Sequence, residues 1–242
     1  MRKFGLLGKK LDYSFSKTYF TDFFEQNEID ATFENIEVAD LKSWVESKGH
    51  KSYAGFSVTI PYKESIVPFL DALSPEAEAI GAVNAVKNDH GKWVGYNTDA
   101  FGFGQSIKPF LNNNHERALI LGTGGAAKAV AFVLKNIGLE VIFASRNPTE
   151  SNQFSYESIN DYMVNACKLI VNCTPIGTFP AVDDMPNFPT ALLTEKHLVI
   201  DLIYNPEKTS LLREAEAQGA LVVNGYSMLQ EQAKKAWEIW NS

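Results

Sequence analysis

The sequence predicts an α/β protein of two domains, an open α/β sheet followed by a doubly wound parallel sheet. Three observations carry this. The chain has 242 residues, enough for two modest domains that each bury a core. Short strands and helices alternate along its first part, which suits an open α/β sheet. In the second part, residues 117–121, 141–144, 169–172, 198–201 and 220–223 are apolar almost throughout and alternate with helical stretches. Strands apolar on both faces require cover on both sides, and helical crossovers provide it in a parallel sheet.

The elements follow in order. Residues 4–8 read as a strand ending in a glycine turn. Residues 16–28 place Tyr19, Phe20, Phe23 and Phe24 at helical spacing. A strand is expected over 33–38, a short helix over 41–47, and a strand over 56–60 that Pro61 stops. Short helices are expected over 64–71 and 75–80. Residues 82–86 and 93–96, joined by the turn Asn88, Asp89, His90 and Gly91, read as a strand pair. Helical pattern resumes over 99–111, and a run of three asparagines, Asn112 to Asn114, links it to the next strand. A helix over 128–136 ends at Gly138, and the last helix covers 228–240.

Composition narrows the function. The net charge of −7 argues against nucleic-acid binding. The two cysteines, Cys167 and Cys173, match no zinc spacing or disulfide framework and read as buried free thiols of a reducing compartment. His50, His90, His115 and His197 are scattered without metal-ligand spacing, so no metal is expected. No stretch resembles a signal peptide or a membrane span, so a cytoplasmic protein is expected.

The strand over 117–121 runs into Gly122, Thr123, Gly124, Gly125, Ala126 and Ala127, and then a helix. In that context the pattern is the dinucleotide fingerprint of a Rossmann-type domain. Gly122 makes the tight turn, Gly124 lets backbone approach a pyrophosphate, and Ala127 permits close helix–strand packing, with the helix N-terminus facing the phosphates. The next strand ends in Ala144, Ser145, Arg146 and Asn147. A carboxylate for a ribose 2′-hydroxyl is missing there, and Arg146 suits a 2′-phosphate, which favours NADP over NAD.

Outside this domain lie polar clusters at Ser14 and Ser16, at 57–63, at 81–84 and at Asn97, Thr98 and Asp99. Together with the loop, these form a set: S-x-S, V-T-x-P-x-K, G-A-V-N, N-T-D, G-x-G-G-A-A, S-R-N, N-x-T-P-x-G from Asn172 to Gly177, and G-x-x-M-L-x-x-Q-A from Gly225 to Ala233. In that order and over nearly its full length, the chain resembles the shikimate dehydrogenase family.

The resemblance implies an active site in the cleft between an N-terminal substrate domain and an NADP-binding domain. It implies NADPH-dependent reduction of 3-dehydroshikimate to shikimate, a small-molecule substrate for a monomer or homodimer. Lys63 and Asp99 match the catalytic pair. The residue types suit the chemistry, since an alkoxide formed at a carbonyl needs a proton and a cation beside it. By the same matching, Ser14 and Ser16 hold the substrate carboxylate, with Tyr204 near it. Thr59, Asn84 and Gln232 hydrogen-bond the ring hydroxyls. Gly122, Gly124, Gly125, Ala126, Ser145, Arg146, Asn147 and Thr174 hold the cofactor, and Gly225 and Met228 border its nicotinamide. Taken singly, Asp99 and Ser14 also read as helix N-caps and Lys63 as a surface residue after a turn.

Gln232 must reach the same pocket as Asn84, so the last helix is expected to return to the first domain. The boundaries then fall at 1–98 plus 226–242 for the substrate domain and 99–225 for the NADP domain. The chain departs from the family at Ser57, usually Asn, at Tyr13, usually His, at Lys17, usually Pro, and at Lys128, often Arg. A quinate/shikimate dehydrogenase using NAD and a non-catalytic ligand-binding relative are the alternative readings.

Overall fold

The computed structural model describes residues 1–11 and 14–242. The chain forms two compact units, Met1–Thr98 with Ala233–Ser242, and Asp99–Gln232.

The first unit contains β1 (Arg2–Gly8), α1 (Phe15–Gln26), β2 (Ala31–Glu37), α2 (Leu41–Glu46), β3 (Gly55–Val58), α3 (Tyr62–Ser65), β4 (Ala72–Leu73), α4 (Pro75–Ile80), β5 (Ala85–Asp89) and β6 (Lys92–Tyr96). Its sheet runs β2-β1-β3-β5-β6-β4. The strands β1, β2 and β3 are parallel, and β5 is antiparallel to both its neighbours. One face is covered by Phe20 and Phe24 of α1 with Ala233, Ala236 and Trp240 near the C-terminus. Trp240 stacks on Phe4 with ring centroids 4.9 Å apart, and its indole N–H donates to the Val86 carbonyl at 3.0 Å. The opposite face packs Leu7, Phe56 and Val58 against Leu41, Tyr62 and Ile66.

The second unit begins within α5 (Thr98–Ile107). It continues with β7 (Arg117–Leu121), α6 (Gly125–Asn136), β8 (Glu140–Ser145), β9 (Gln153–Ser155), α7 (Asp161–Ala166), β10 (Leu169–Asn172), β11 (Leu198–Asp201), α8 (Ser210–Ala217), β12 (Leu221–Val223) and the start of α9 (Tyr226–Asn241). All six strands are parallel, in the order β12-β11-β10-β7-β8-β9. The first strand thus lies in the middle, with the next two to one side and the last three to the other. That is the doubly wound dinucleotide-binding order. Alternate residues of each strand feed opposite faces, Ala118 and Ile120 against α5 and α6, Leu119 and Leu121 against α7 and α8.

Several local readings shift. The helix expected over 64–71 splits into α3 and a 3-10 turn at Val67–Phe69, because Pro68 has no N–H with which to continue a helix. The helix expected over 99–111 ends at Ile107, where Phe110 N–H bonds back to its carbonyl at 3.0 Å. The strands β4 and β9 and the helix α7 were not anticipated; they are two, three and six residues long, too short to show a period. Cys167 is buried, as expected, and burial raises its thiol pKa to about 11. Cys173 is only half-buried, because it lies just past the end of β10.

Candidate active site

In the first unit, five of the expected site residues, the four substrate residues Ser14, Ser16, Thr59 and Asn84 and the catalytic Lys63, follow or precede strands of the sheet. Thr59 follows β3, donates its N–H to the Leu7 carbonyl at 2.9 Å, and its own carbonyl begins α3 by accepting from Tyr62 at 2.9 Å. Lys63 is thereby placed in the first turn beyond β3, partly buried, and its carbonyl accepts the Val83 N–H at 2.7 Å. Asn84 precedes β5. Its carbonyl accepts Val58 N–H at 2.8 Å and its N–H donates to Tyr96 at 3.0 Å, so it sits between the ends of β3 and β6. Ser14 and Ser16 open α1, the helix after β1. Ser14 is its N-cap, its Oγ accepting the Lys17 N–H at 3.2 Å. Tyr13, one of the departures from the family pattern, lies outside the described residues.

The Asn84 side chain is engaged at both ends. Its Nδ2 donates to Thr98 Oγ1 at 3.0 Å and its Oδ1 accepts the Thr98 N–H at 2.6 Å. Asn97 Nδ2 donates to the Ala82 carbonyl at 2.9 Å. These bonds secure the start of α5, and Asp99 falls inside the helix, one residue past its first.

In the second unit, Asp99 lies in the first turn of α5 and is only 2% exposed. One turn on, Gly102 meets α9. A Cβ at Gly102 would lie 2.6 Å from the Met228 carbonyl and 3.1 Å from the Gln232 nitrogen. The missing side chain lets the helices bearing Asp99 and Gln232 touch backbone to backbone.

The expected cofactor residues gather where the parallel strands end. Gly122 follows β7 with φ +101°, a conformation that a side chain resists, and Thr174 Cγ2 would lie 3.1 Å from a Cβ there. The loops after β7 and β10 therefore abut where the strand order reverses, the place at which such sheets bind ligands. Gly124 caps α6 with no side-chain hydrogen bond, and a Cβ built on it meets no atom within 4 Å. Ala127, the third fingerprint position, is buried in the helix–sheet contact. At the end of β8, Arg146 and Asn147 are exposed, and Ser145 is buried with its Oγ accepting the Asn147 N–H at 3.2 Å. The Arg146 charge acts on Tyr156, opposing the burial that raises that phenol's pKa. Tyr204 lies in the loop after β11, while Gly225 and Met228 follow β12 and begin α9. Gly225 N–H donates to the Ile203 carbonyl at 3.0 Å.

One group at this edge was not singled out from sequence. Asp201, at the end of β11, is fully buried. Its Oδ1 accepts from Asn172 Nδ2 and from the Ile203 N–H, both at 3.0 Å, and its Oδ2 accepts from Thr209 Oγ1 at 2.7 Å. Burial pushes its pKa up to about 6 despite these three donors. Asn172 Oδ1 in turn accepts the Thr174 N–H at 3.0 Å and its hydroxyl at 2.7 Å. Asn172 stood in a recognised motif, but its partner is 29 residues away, and no local pattern announces that pairing.

Among the described residues, no group of three or more side chains could hold a metal ion, and no helix is long and apolar enough to cross a membrane. The doubly wound sheet, with a glycine loop after its first strand, is that of a dinucleotide-binding domain, and the first unit carries a lysine and polar side chains at its strand ends.

Comparison with known proteins gives the family. Residues 6–86 match the family described as the shikimate dehydrogenase substrate binding domain. The chain is 37% identical over 257 residues to the shikimate dehydrogenase (NADP(+)) of Desulforamulus reducens, covering 98% of this chain and 88% of that one. It superposes on a crystal structure of a shikimate dehydrogenase in complex with NADP+ with a TM-score of 0.88 and 31% identity, covering 99% and 90% of the two chains. It superposes on the Thermus thermophilus enzyme in complex with NADP(H) and shikimate with a TM-score of 0.87 and 32% identity, covering 99% and 93%. The chain belongs to the shikimate dehydrogenase family.

Proposed function

We propose that the protein catalyses the reversible, NADPH-dependent reduction of 3-dehydroshikimate to shikimate, in the cytoplasm and as a monomer or homodimer. The unit Met1–Thr98 with the C-terminal segment binds substrate, and the unit Asp99–Gln232 binds the nucleotide. The observation that carries this reading is the gathering of Thr59, Lys63 and Asn84 on one edge of the first sheet.

The residues of the second unit fit the nucleotide. The space above Gly124 is open, the α6 N-terminus has no side-chain cap, and Arg146 stands exposed at the end of β8. Gly122, Gly124, Gly125 and Ala126 would present backbone N–H groups to the pyrophosphate. Ser145, Arg146 and Asn147 would hold the adenosine end, Arg146 on the 2′-phosphate. Thr174 would hold the cofactor, and Gly225 and Met228 would border its nicotinamide. When bound, NADPH supplies the hydride.

The chain's own groups do the rest. As charge develops on the carbonyl oxygen, the Lys63 ammonium stabilises it and delivers the proton. Asp99 accepts a hydrogen bond from a ring hydroxyl and orients it. The hydroxyls of Ser14 and Ser16 donate to the substrate carboxylate, and Tyr204 lies near it. Thr59, Asn84 and Gln232 fix the ring hydroxyls. A pocket of such pairs rejects analogues that leave buried groups without partners.

The test is a nicotinamide absorbance assay crossing shikimate and quinate with NADP+ and NAD+, with Lys63→Ala alongside. Turnover chiefly of shikimate with NADP+, abolished in Lys63→Ala, is expected. Comparable turnover of quinate or use of NAD+ would make the protein a quinate/shikimate dehydrogenase. No turnover with any pair would make it a ligand-binding relative.

A further inference from the structure

We propose that Asp201 is a positioning residue for cofactor binding, acting through Asn172 on the loop that bears Thr174. The inference rests on the reading above that this loop borders the nucleotide.

A carboxylate at the end of a strand buried on both faces is costly to desolvate, and an apolar residue there would pack at no such cost. Its chemistry is what the site uses. An ionised carboxylate only accepts hydrogen bonds. It therefore compels Asn172 to present its Nδ2 toward β11, at 3.0 Å, which turns the Asn172 Oδ1 toward the loop. That oxygen receives both the N–H and the hydroxyl of Thr174, and Thr174 Oγ1 then accepts the Ile176 N–H at 3.3 Å. With the amide reversed, an NH2 group would face two donors and the turn would open.

The same carboxylate governs two further segments. It holds the Ile203 N–H at the start of the loop that leads to Tyr204. It also binds Thr209 Oγ1, whose oxygen caps α8 by accepting the Leu212 N–H at 3.3 Å. One buried side chain thus sets the loops after β10 and β11. The first of these lies against Gly122, where Thr174 Cγ2 would stand 3.1 Å from an added Cβ. Asp201 is fully buried, and its role is to decide how Thr174 is presented.

The experiment compares Asp201→Leu, which keeps the bulk but accepts no hydrogen bond, with Asn172→Ala, which cuts the link to Thr174 and leaves Asp201 its other two partners. NADPH binding is followed by fluorescence titration, and KM is measured for NADP+ and for shikimate. Both variants are expected to weaken NADPH binding and raise the NADP+ KM by about five- to tenfold, and Asn172→Ala, which leaves the Ile203 and Thr209 bonds of Asp201 in place, to keep the shikimate KM within about twofold of wild type. A lowered melting temperature with wild-type NADPH affinity in both variants would overturn the proposal and leave Asp201 a stability residue. Arg146→Ala separates the two readings. Weakened binding in Arg146→Ala with wild-type binding in the other two variants overturns the positioning role alone. Wild-type binding in all three overturns the cofactor site as assigned and this role with it.

Discussion

Asn84 and Thr98 exchange two hydrogen bonds at the start of α5, one from the Asn84 amide to Thr98 Oγ1 at 3.0 Å and one from the Thr98 N–H to Asn84 Oδ1 at 2.6 Å. Both residues are buried, at 5% and 1% exposure. A residue expected to meet substrate is therefore also the clamp on the helix whose next residue is Asp99.

Replacing Asn84 by alanine leaves a buried donor and a buried hydroxyl without their partner, at a cost of about 1–3 kcal/mol. Asn84→Asp keeps the acceptor for the Thr98 N–H, and the hydroxyl can turn to donate. Urea denaturation should show a clearly smaller loss for the aspartate variant than for the alanine variant, while both lower kcat/KM for shikimate. Equal stability losses would mean that the Thr98 bonds are not what Asn84 contributes.

Two glycines on α5 should respond with opposite signs. At Gly102 a methyl group would come within 2.6 Å of the Met228 carbonyl, whereas at Gly104 it would meet only Val133 Cγ1 at 3.6 Å. Gly102→Ala must push the backbone of α9 away and should destabilise by about 1–3 kcal/mol. Gly104→Ala makes an ordinary contact in a helix interior and should stabilise by about 0.5–1 kcal/mol. Thermal melts read both. Stabilisation in Gly102→Ala would show that α5 and α9 do not rest against each other there.

Arg146 should carry the preference for NADP+. Removing a charge-assisted contact to a 2′-phosphate costs about 1.5–3 kcal/mol, so Arg146→Ala should raise the NADP+ KM by about ten- to a hundredfold. The NAD+ KM should move little, since that nucleotide has no 2′-phosphate. Parallel increases for both nucleotides would place Arg146 elsewhere on the ligand.

The pH dependence of stability carries the mark of Asp201. Its folded-state pKa of about 6 stands above the ordinary carboxylate value of 3.8. Between those values the folded chain binds more protons than the unfolded one, so this group's contribution to stability falls as pH rises through about 6. A shift of roughly two units corresponds to about 3 kcal/mol. Relative to Asp201→Asn, the wild-type protein should lose stability from pH 4 to pH 7 by an amount of that order. A stability difference independent of pH would show that the carboxyl titrates normally.

Much of the second unit was legible in the sequence because its signals are local. The apolar strands over 117–121, 169–172 and 198–201 stand out, since burial on both faces leaves no polar alternation. The glycine loop at Gly122 and Gly124 is legible for the same reason: backbone approach and positive φ are demands that one residue type meets at its own position. The motifs bearing Lys63, Asn84 and Asp99 also identified the family, as the comparisons bear out. Short elements such as β4 and β9 stayed hidden, because two or three residues have no period and their hydrogen bonds come from β6 and β8, distant or offset in sequence. The same holds for the Asn84–Thr98 clamp, the Gly102 contact with Met228 and the convergence of Asn172 and Thr209 on Asp201. Sequence by itself determined which residue types stand after which strands, and with them the fold class and the family. Only the tertiary structure decided which buried polar groups satisfy one another, because that pairing depends on distances between segments the chain folds together and not on spacing along it.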